Sequence, residues 1–194
     1  MTTRRKFIQA AAISALPAPT FPPGARAANP RPVPDAVVFD AAHAATRAFG
    51  ARWTALGTRT LSVTGGDVTA LWLEVRVAWV RRRIAVAGLT EPAILFCLEN
   101  LAWSHGLRVV FHAEHIAMPD GTLQHHVQRD AQMARLTTSH LQRAGALWPT
   151  RLADAMAARS TAPAGRRPGP SLAALQPALP EGAQLLTSWI IAAA

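Results

Sequence analysis

The sequence predicts an α/β fold: a small three-layer sandwich with a central parallel β-α-β-α-β unit, extended by a hairpin and followed by helices. Between residues 60 and 111, short apolar runs alternate with longer stretches that have helical periodicity. That alternation is typical of parallel strands joined by right-handed crossover helices. Pro119-Asp120-Gly121 then supplies a strong turn signal between two further strand-like segments.

The elements before the hairpin follow from periodicity and from their end signals. Residues 36 to 56 carry apolar side chains at helical spacing and predict an amphipathic helix. Residues 60 to 63 predict a strand, and residues 68 to 80 a helix that Asp67 is placed to cap. A second strand is expected over 83 to 87. Residues 91 to 105 predict the next helix, with Thr90 as its N-cap, Pro92 in its first turn and Gly106 beyond its end.

The third strand, residues 107 to 111, runs into a hairpin formed by residues 111 to 118 and 122 to 128. If Asp120 and Gly121 form the centre of the turn, the register places His115 opposite His126 and Ile116 opposite His125. Helices are predicted over residues 130 to 147 and from Pro149 to about residue 159.

The C-terminal part divides into two segments. Residues 160 to 183 are rich in Pro, Gly and Ala and predict a linker or loop. Residues 184 to 194 form an apolar C-terminal segment that is a possible edge strand or a short helix, since periodicity does not separate the two. A third interpretation makes this segment a docking element for a partner.

The first 27 residues carry an export signal. Thr3, Arg4, Arg5 and Phe7 are followed by an apolar stretch from residue 8 to 16 and by a small-x-small cleavage pattern that ends at Ala27. This leader resembles the bacterial twin-arginine signal, although Ile8 replaces the commoner Leu and Gln9 the commoner Lys. The resemblance implies recognition by the twin-arginine translocation machinery, cleavage after Ala27 and a periplasmic location. That route carries folded proteins, often loaded with a cofactor or bound to a partner.

Composition limits the function of the part that would remain, which we expect to hold one α/β domain over residues 28 to 159. Cleavage would remove four of the 20 basic residues and none of the 11 acidic ones, so the net charge would fall from +9 to +5. The remaining arginines are scattered, and the one run, residues 81 to 83, lacks the interleaved aromatic residues of a single-strand nucleic-acid binder. We therefore expect no nucleic-acid partner, and no stable membrane span after cleavage. Cys97 is the only cysteine, so the chain can form no internal disulfide.

A ligand-binding rim is expected where the predicted parallel strands end, because open α/β sheets bind ligands beyond the carboxyl ends of their strands. The rim would gather the residues after the first strand, those after the second, and the segment 112 to 115. Its candidate binding residues are Gly65, Gly66, Asp67 and Thr90. The glycines could bring backbone N–H groups close to an anion, whereas a tight turn with a capping Asp67 is the simpler interpretation.

Histidines and a carboxylate near the hairpin predict a metal site, because these groups bind zinc and similar divalent ions. The candidate ligands are His112, Glu114, His115, His125 and His126. Two sets are open: His115 with His126, or His112 and Glu114 with His125. Neither matches a known metal or catalytic motif, and there is no nucleophile-elbow sequence either.

Three functions remain open on these observations. The first is a non-catalytic periplasmic accessory or ligand-binding factor that serves an exported redox or metal enzyme. The second is a small metal-dependent hydrolase that uses the His/Glu cluster. The third is a domain whose exposed strand or C-terminal segment docks on a partner, with the apolar residues 185 to 191 as the docking element.

Overall fold

The computed structural model of the chain describes residues 34–127, 131–159 and 179–193. Its first half comprises β1 (Ala36–Asp40), α1 (Ala44–Ala55), β2 (Arg59–Val63), α2 (Thr69–Arg82), β3 (Val86–Thr90) and α3 (Pro92–Ser104). The second half comprises β4 (Leu107–Ala117), β5 (Leu123–Val127), α4 (Ala131–Ala144), α5 (Trp148–Arg159) and β6 (Gln184–Ala193), with a 3-10 turn at Gly145–Leu147 between α4 and α5.

The fold is α/β, as the sequence predicts. Six strands form one mixed sheet in the order β2-β1-β3-β6-β4-β5. β1 pairs in parallel with β2 and β3, whereas β6 is antiparallel to β3 and β4, and β5 is antiparallel to β4. One face packs against α1, α4 and α5 through Phe49, Trp53, Leu141 and Leu152. The other packs against α2 and α3 through Val75, Trp79, Ile94 and Leu98.

The prediction of a single helix over residues 36 to 56 is wrong for Ala36–Asp40, which form β1. Ala36, Val37 and Val38 are buried between β2 and β3. A short apolar run that is buried on both faces has no alternation, so periodicity cannot distinguish it from one turn of a helix. At the end of β1, the Asp40 carboxylate accepts a hydrogen bond from the Ala42 N–H at 2.9 Å and turns the chain toward α1.

The C-terminal segment is a strand, but it does not lie at the sheet edge. β6 is inserted between β3 and β4: it pairs along its whole length with β4, and over residues 187 to 191 with β3. Trp189 and Ile191 on this strand are fully buried. Because these residues of β6 belong to the core, the interpretation of residues 185 to 191 as an exposed docking element for a partner is wrong.

The hairpin register differs from the predicted one by a single residue. His115 lies opposite His125 and Glu114 lies opposite His126. The loop has three residues at its centre instead of two, because Gly121 adopts a left-handed φ of 83° and its N–H bonds the Met118 carbonyl at 3.0 Å. A three-residue loop with glycine in this conformation moves the pairing by one position.

The leader, its cleavage site at Ala27 and most of the expected linker, residues 160 to 178, lie outside the described residues. Within the described ranges, no helix is long and apolar enough to cross a membrane.

A contact between Gly88 and Trp189 joins the two halves of the sheet. A Cβ atom added at Gly88 would lie 2.3 Å from Cζ2 of the Trp189 indole, which is fully buried. The indole N–H donates a hydrogen bond to the Thr90 hydroxyl at 3.1 Å, so the ring is held at both ends. Only glycine fits at position 88 without displacing the ring.

We expect Gly88→Ala to lower the free energy of unfolding by about 3 kcal/mol, because overpacking forces a rigid ring out of a filled core. Denaturant unfolding followed by far-UV circular dichroism measures this loss. Trp189→Leu removes the clashing atoms, so the double variant should lose less than the sum of the two single losses. Full additivity would show that the contact does not set the packing here.

Candidate functional site

The strand order reverses between β1 and β3, which creates a crevice at their carboxyl ends. β1 leads into α1 on one face of the sheet, and β3 leads into α3 on the other. In open α/β sheets, such a reversal point is where ligands bind. The residues that follow the two strands are the N-cap residues of these helices, His43 and Glu91.

Three potential metal ligands meet in this crevice: Asp40, His43 and Glu91, which we call the switch-point site. His43 Nε2 lies 2.9 Å from Glu91 Oε1 and 3.7 Å from Asp40 Oδ2. One ligand atom from each residue lies within 4.8 Å of the others. Among the described residues, this is the one group of three or more His, Cys, Asp or Glu side chains with that geometry.

The three side chains of the site differ in their exposure to solvent. The Asp40 side chain is 3% exposed, that of His43 17% and that of Glu91 49%. A carboxylate as deeply buried as Asp40 is costly unless charge or hydrogen bonds compensate it. The backbone N–H of Ala42 supplies one bond, and the second carboxylate oxygen faces His43. The open side of the site is therefore the side of Glu91.

The turn that carries Asp40 and His43 is held firmly. The Thr46 hydroxyl lies against the backbone carbonyl oxygens of both residues, at 2.8 Å from that of His43. The Ala41 N–H donates to the Val63 carbonyl of β2 at 2.7 Å. The Arg47 guanidinium donates to the Ala41 carbonyl at the same distance. These bonds fix the two side chains before any ligand arrives, which lowers the entropic cost of binding.

Gln184 completes the site from the first position of β6. Its side-chain Nε2 lies 2.6 Å from Nδ1 of His43. An amide nitrogen is only a donor, so with the side-chain NH2 group of Gln184 toward the ring, Nδ1 accepts this hydrogen bond and Nε2 faces Glu91. A partner on the remote ring nitrogen fixes the ring orientation, as it does in histidines that bind metals, although in those histidines the remote nitrogen donates its N–H to an acceptor.

The predicted rim is only partly present. Gly65 and Gly66 adopt positive φ values and form the turn after β2, and the Asp67 carboxylate accepts a hydrogen bond from the Thr69 N–H at 2.8 Å. That bond holds the pKa of Asp67 below its usual range. The Asp67 carboxylate therefore bonds the first N–H group of α2, in agreement with the simpler interpretation, although Val68 is the N-cap residue.

Thr90 lies at the carboxyl end of a parallel strand, as predicted, but its polar groups form hydrogen bonds within the core. It is the last residue of β3 and is fully buried. Its hydroxyl accepts the Trp189 indole N–H, and its carbonyl accepts the Thr187 hydroxyl at 3.2 Å. The prediction of Thr90 as the N-cap of the next helix is wrong by one residue: its neighbour Glu91 is the N-cap of α3 and reaches the crevice.

The expected His/Glu cluster is divided between the two faces of the sheet. β4 continues to Ala117, so residues 112 to 115 lie within a strand and not at its carboxyl end. His115 and His125 are buried with Trp148 on the α4/α5 face. His112 and Glu114 alternate to the opposite face, and His126 is exposed opposite Glu114. Both predicted ligand sets, His115 with His126 and His112 and Glu114 with His125, are therefore wrong in their pairing.

His115 and His125 instead form a buried neutral pair. Their Nδ1 atoms lie 2.7 Å apart, and His115 Nε2 lies 2.8 Å from the Ser188 hydroxyl. Nε2 of His125 is buried without a hydrogen-bond partner. Burial, and after it the charge of His125, lowers the pKa of His115 well below its usual range. Burial, with a smaller contribution from His126, lowers the pKa of His125 to about 4.

Sequence reasoning did not select the switch-point residues. Asp40-x-x-His43 follows an apolar run, which is a usable signal, but helical periodicity over residues 36 to 56 hides the end of the strand there. Glu91 directly follows the segment 88 to 90 that was assigned to the rim.

Comparison of the chain with protein-family models, with curated proteins and with solved structures finds no significant match. The geometry of the switch-point site is therefore the basis for the functional proposal.

We expect acid to destabilise the protein through His125. Between pH 6.5 and about 4, the His125 ring binds a proton in the unfolded chain but not in the folded protein, where its pKa is lower. The free energy of unfolding is therefore not reduced by His125 above pH 6.5. It decreases as the pH falls below that value, by on the order of 3 kcal/mol. Chemical denaturation across this range measures the slope.

His125→Gln should make that slope shallower, since the titrating group is gone. His140→Gln is the matched control, because His140 is an exposed histidine on α4 and should leave the slope unchanged. An identical slope in His125→Gln and the wild type would contradict the assignment.

Proposed function

We propose that this protein is an exported periplasmic factor that binds one divalent transition-metal ion through Asp40, His43 and Glu91 and serves an exported redox or metal enzyme. The observation that carries this proposal is the convergence of the three ligand atoms within 4.8 Å in the crevice where the strand order reverses. The leader that resembles a twin-arginine signal supports the periplasmic location. It also supports the bound metal, because that route accepts proteins that are already folded and loaded with a cofactor.

The donor set favours an ion of intermediate hardness. One imidazole nitrogen and two carboxylate oxygens suit zinc and neighbouring first-row ions better than calcium or magnesium, which prefer oxygen ligands alone. Two carboxylates also balance the charge of a divalent ion. Zinc is therefore the ion to test first, with cobalt as a spectroscopic substitute.

A metal-dependent hydrolase is the second candidate, now placed at the switch-point site. Three protein ligands leave coordination positions for other groups, which is the arrangement of catalytic zinc sites and not of structural ones. The exposure of Glu91 gives that open side access to solvent. Hydrolysis of chromogenic ester substrates by the metal-loaded protein, lost in Glu91→Gln, would favour the enzyme over the accessory factor.

We expect the full chain, purified without a histidine tag, to bind about one zinc ion in calorimetric titration. His43→Ala and Glu91→Gln each remove a ligand and should weaken binding at least tenfold, on the order of the loss seen when a supporting residue is removed. Cobalt absorption spectra provide an independent measurement of the same site.

His140→Ala is the control, because it removes an exposed histidine outside the site. Zinc binding that persists in His43→Ala but disappears in His115→Ala would move the metal to the hairpin. A chain that binds neither zinc nor cobalt would refute the proposal.

We expect Gln184 to control how readily His43 accepts a metal. Coordination through Nε2 requires the ring proton to move to Nδ1, and Gln184 can accept it only by rotating its amide to present Oε1. Gln184→Glu offers a permanent acceptor and should bind zinc at least as tightly as the wild type. Gln184→Leu offers none and should bind zinc about tenfold more weakly.

Nitrogen chemical shifts of the His43 ring in the metal-free protein measure the tautomer directly. With the Gln184 amide nitrogen toward Nδ1, the wild type should carry its ring proton on Nε2, whereas Gln184→Glu should also carry a proton on Nδ1, where the new carboxylate accepts it. Gln124→Leu, a half-buried glutamine on β5, is the control. Equal zinc affinities in Gln184→Glu and Gln184→Leu would contradict this role.

A further inference from the structure

The outer faces of α2 and α3 expose a concentration of large apolar side chains. Five such residues, each more than half exposed, lie on the sides of these two helices that point away from the sheet. We call them the outer α2/α3 face: Leu73, Val77, Val80, Phe96 and Trp103. The described parts of the opposite helical layer, on α1, α4 and α5, show no comparable row.

Both helices therefore carry large apolar side chains on two sides, with exposed Arg76 among those of the outer side of α2. Their inner rows pack on the sheet through residues such as Val75, Trp79 and Leu98. A helix that is apolar all round is normally covered on both sides. An exposed apolar face with a polar rim marks a surface that binds a macromolecule or a membrane.

The rim of this face is basic. Arg81, Arg82 and Arg83 are exposed at the end of α2. Arg83 reaches the end of α3, since a Cβ atom added at Gly106 would lie 3.9 Å from its guanidinium. The Arg108 guanidinium lies 5.9 Å from the ring centre of Trp103.

Acidic residues do not cancel this charge. Glu74 on α2 forms an ion pair with Arg59 on β2. Glu99 on α3 is partly buried, and burial raises the pKa of its carboxyl group. A surface with protruding Leu, Phe and Trp side chains and an arginine rim matches the interface between lipid headgroups and acyl chains.

We infer that the outer α2/α3 face docks on an anionic phospholipid bilayer, with the apolar side chains in the headgroup region and the arginines on lipid phosphates. The helices need not cross the bilayer for this. A second copy of the chain fits the face less well, because its arginine rim would meet another arginine rim. The basic end of α2 lies at the opposite edge of the sheet from the switch-point site, so docking leaves that site open. The inference does not depend on metal binding.

Co-sedimentation of the full chain with phosphatidylglycerol–phosphatidylcholine vesicles tests this inference. Binding should be much weaker to pure phosphatidylcholine vesicles and should decrease as salt rises, because the arginines act through screened charge. Phe96→Glu/Trp103→Glu should reduce partitioning at least about tenfold, since two apolar anchors are lost. Arg81→Glu/Arg82→Glu should reduce it at least about twentyfold.

Leu147→Glu is the matched control, because Leu147 is a 61% exposed leucine on the other helical layer. Circular dichroism of every variant establishes that the fold is kept. Equal sedimentation of the wild type and both face variants would assign vesicle binding to the apolar segment of residues 8 to 16 and would overturn the inference. Absence of vesicle binding by the wild type, whether or not it dimerises or binds another protein, would overturn it as well.

Discussion

The packing of Trp189 against Gly88 is the constraint on which the sheet depends. Among the described residues, β6 is the only strand that pairs with both the parallel strands β2-β1-β3 and the hairpin β4-β5. Its position requires the Trp189 indole to occupy the space that a Cβ atom at Gly88 would fill and to donate its N–H to Thr90. The same strand starts at Gln184 beside the crevice and supplies Ser188 to the buried histidine pair. One core contact thus positions groups on two faces and at one edge of the sheet.

The two histidine-containing clusters differ in what burial does to them. His115 and His125 are enclosed by Trp148 and the core, so neither can carry a charge at neutral pH without disturbing the packing. They stabilise the hairpin as a neutral hydrogen-bonded pair. His43 instead lies between two carboxylates in a crevice that opens at Glu91. That difference in access, and not the number of histidines, distinguishes a core element from a candidate ligand site.

The proposed properties are separated on the molecule. The switch-point site lies at the carboxyl edge of the sheet, and the basic end of the outer α2/α3 face lies at the opposite edge. A protein docked on a bilayer through its helices would therefore keep its metal ligands accessible to a soluble partner. Such an arrangement suits an accessory factor that exchanges its ligand close to a membrane surface.

The sequence by itself determined the α/β class, α2, α3, α5, the existence of the hairpin and the capping role of Asp67, because periodicity and end signals are local. Tertiary structure decided the rest. β1 and β6 are apolar runs that become strands only when neighbouring strands pair with them. The three-residue loop that ends at Gly121 shifts the register of β4 and β5 by one position, and this shift places His115 opposite His125. Asp40, His43 and Glu91 form a site only because residues that are far apart in sequence follow strands that become neighbours in the sheet, and strand order is a property that no local pattern encodes.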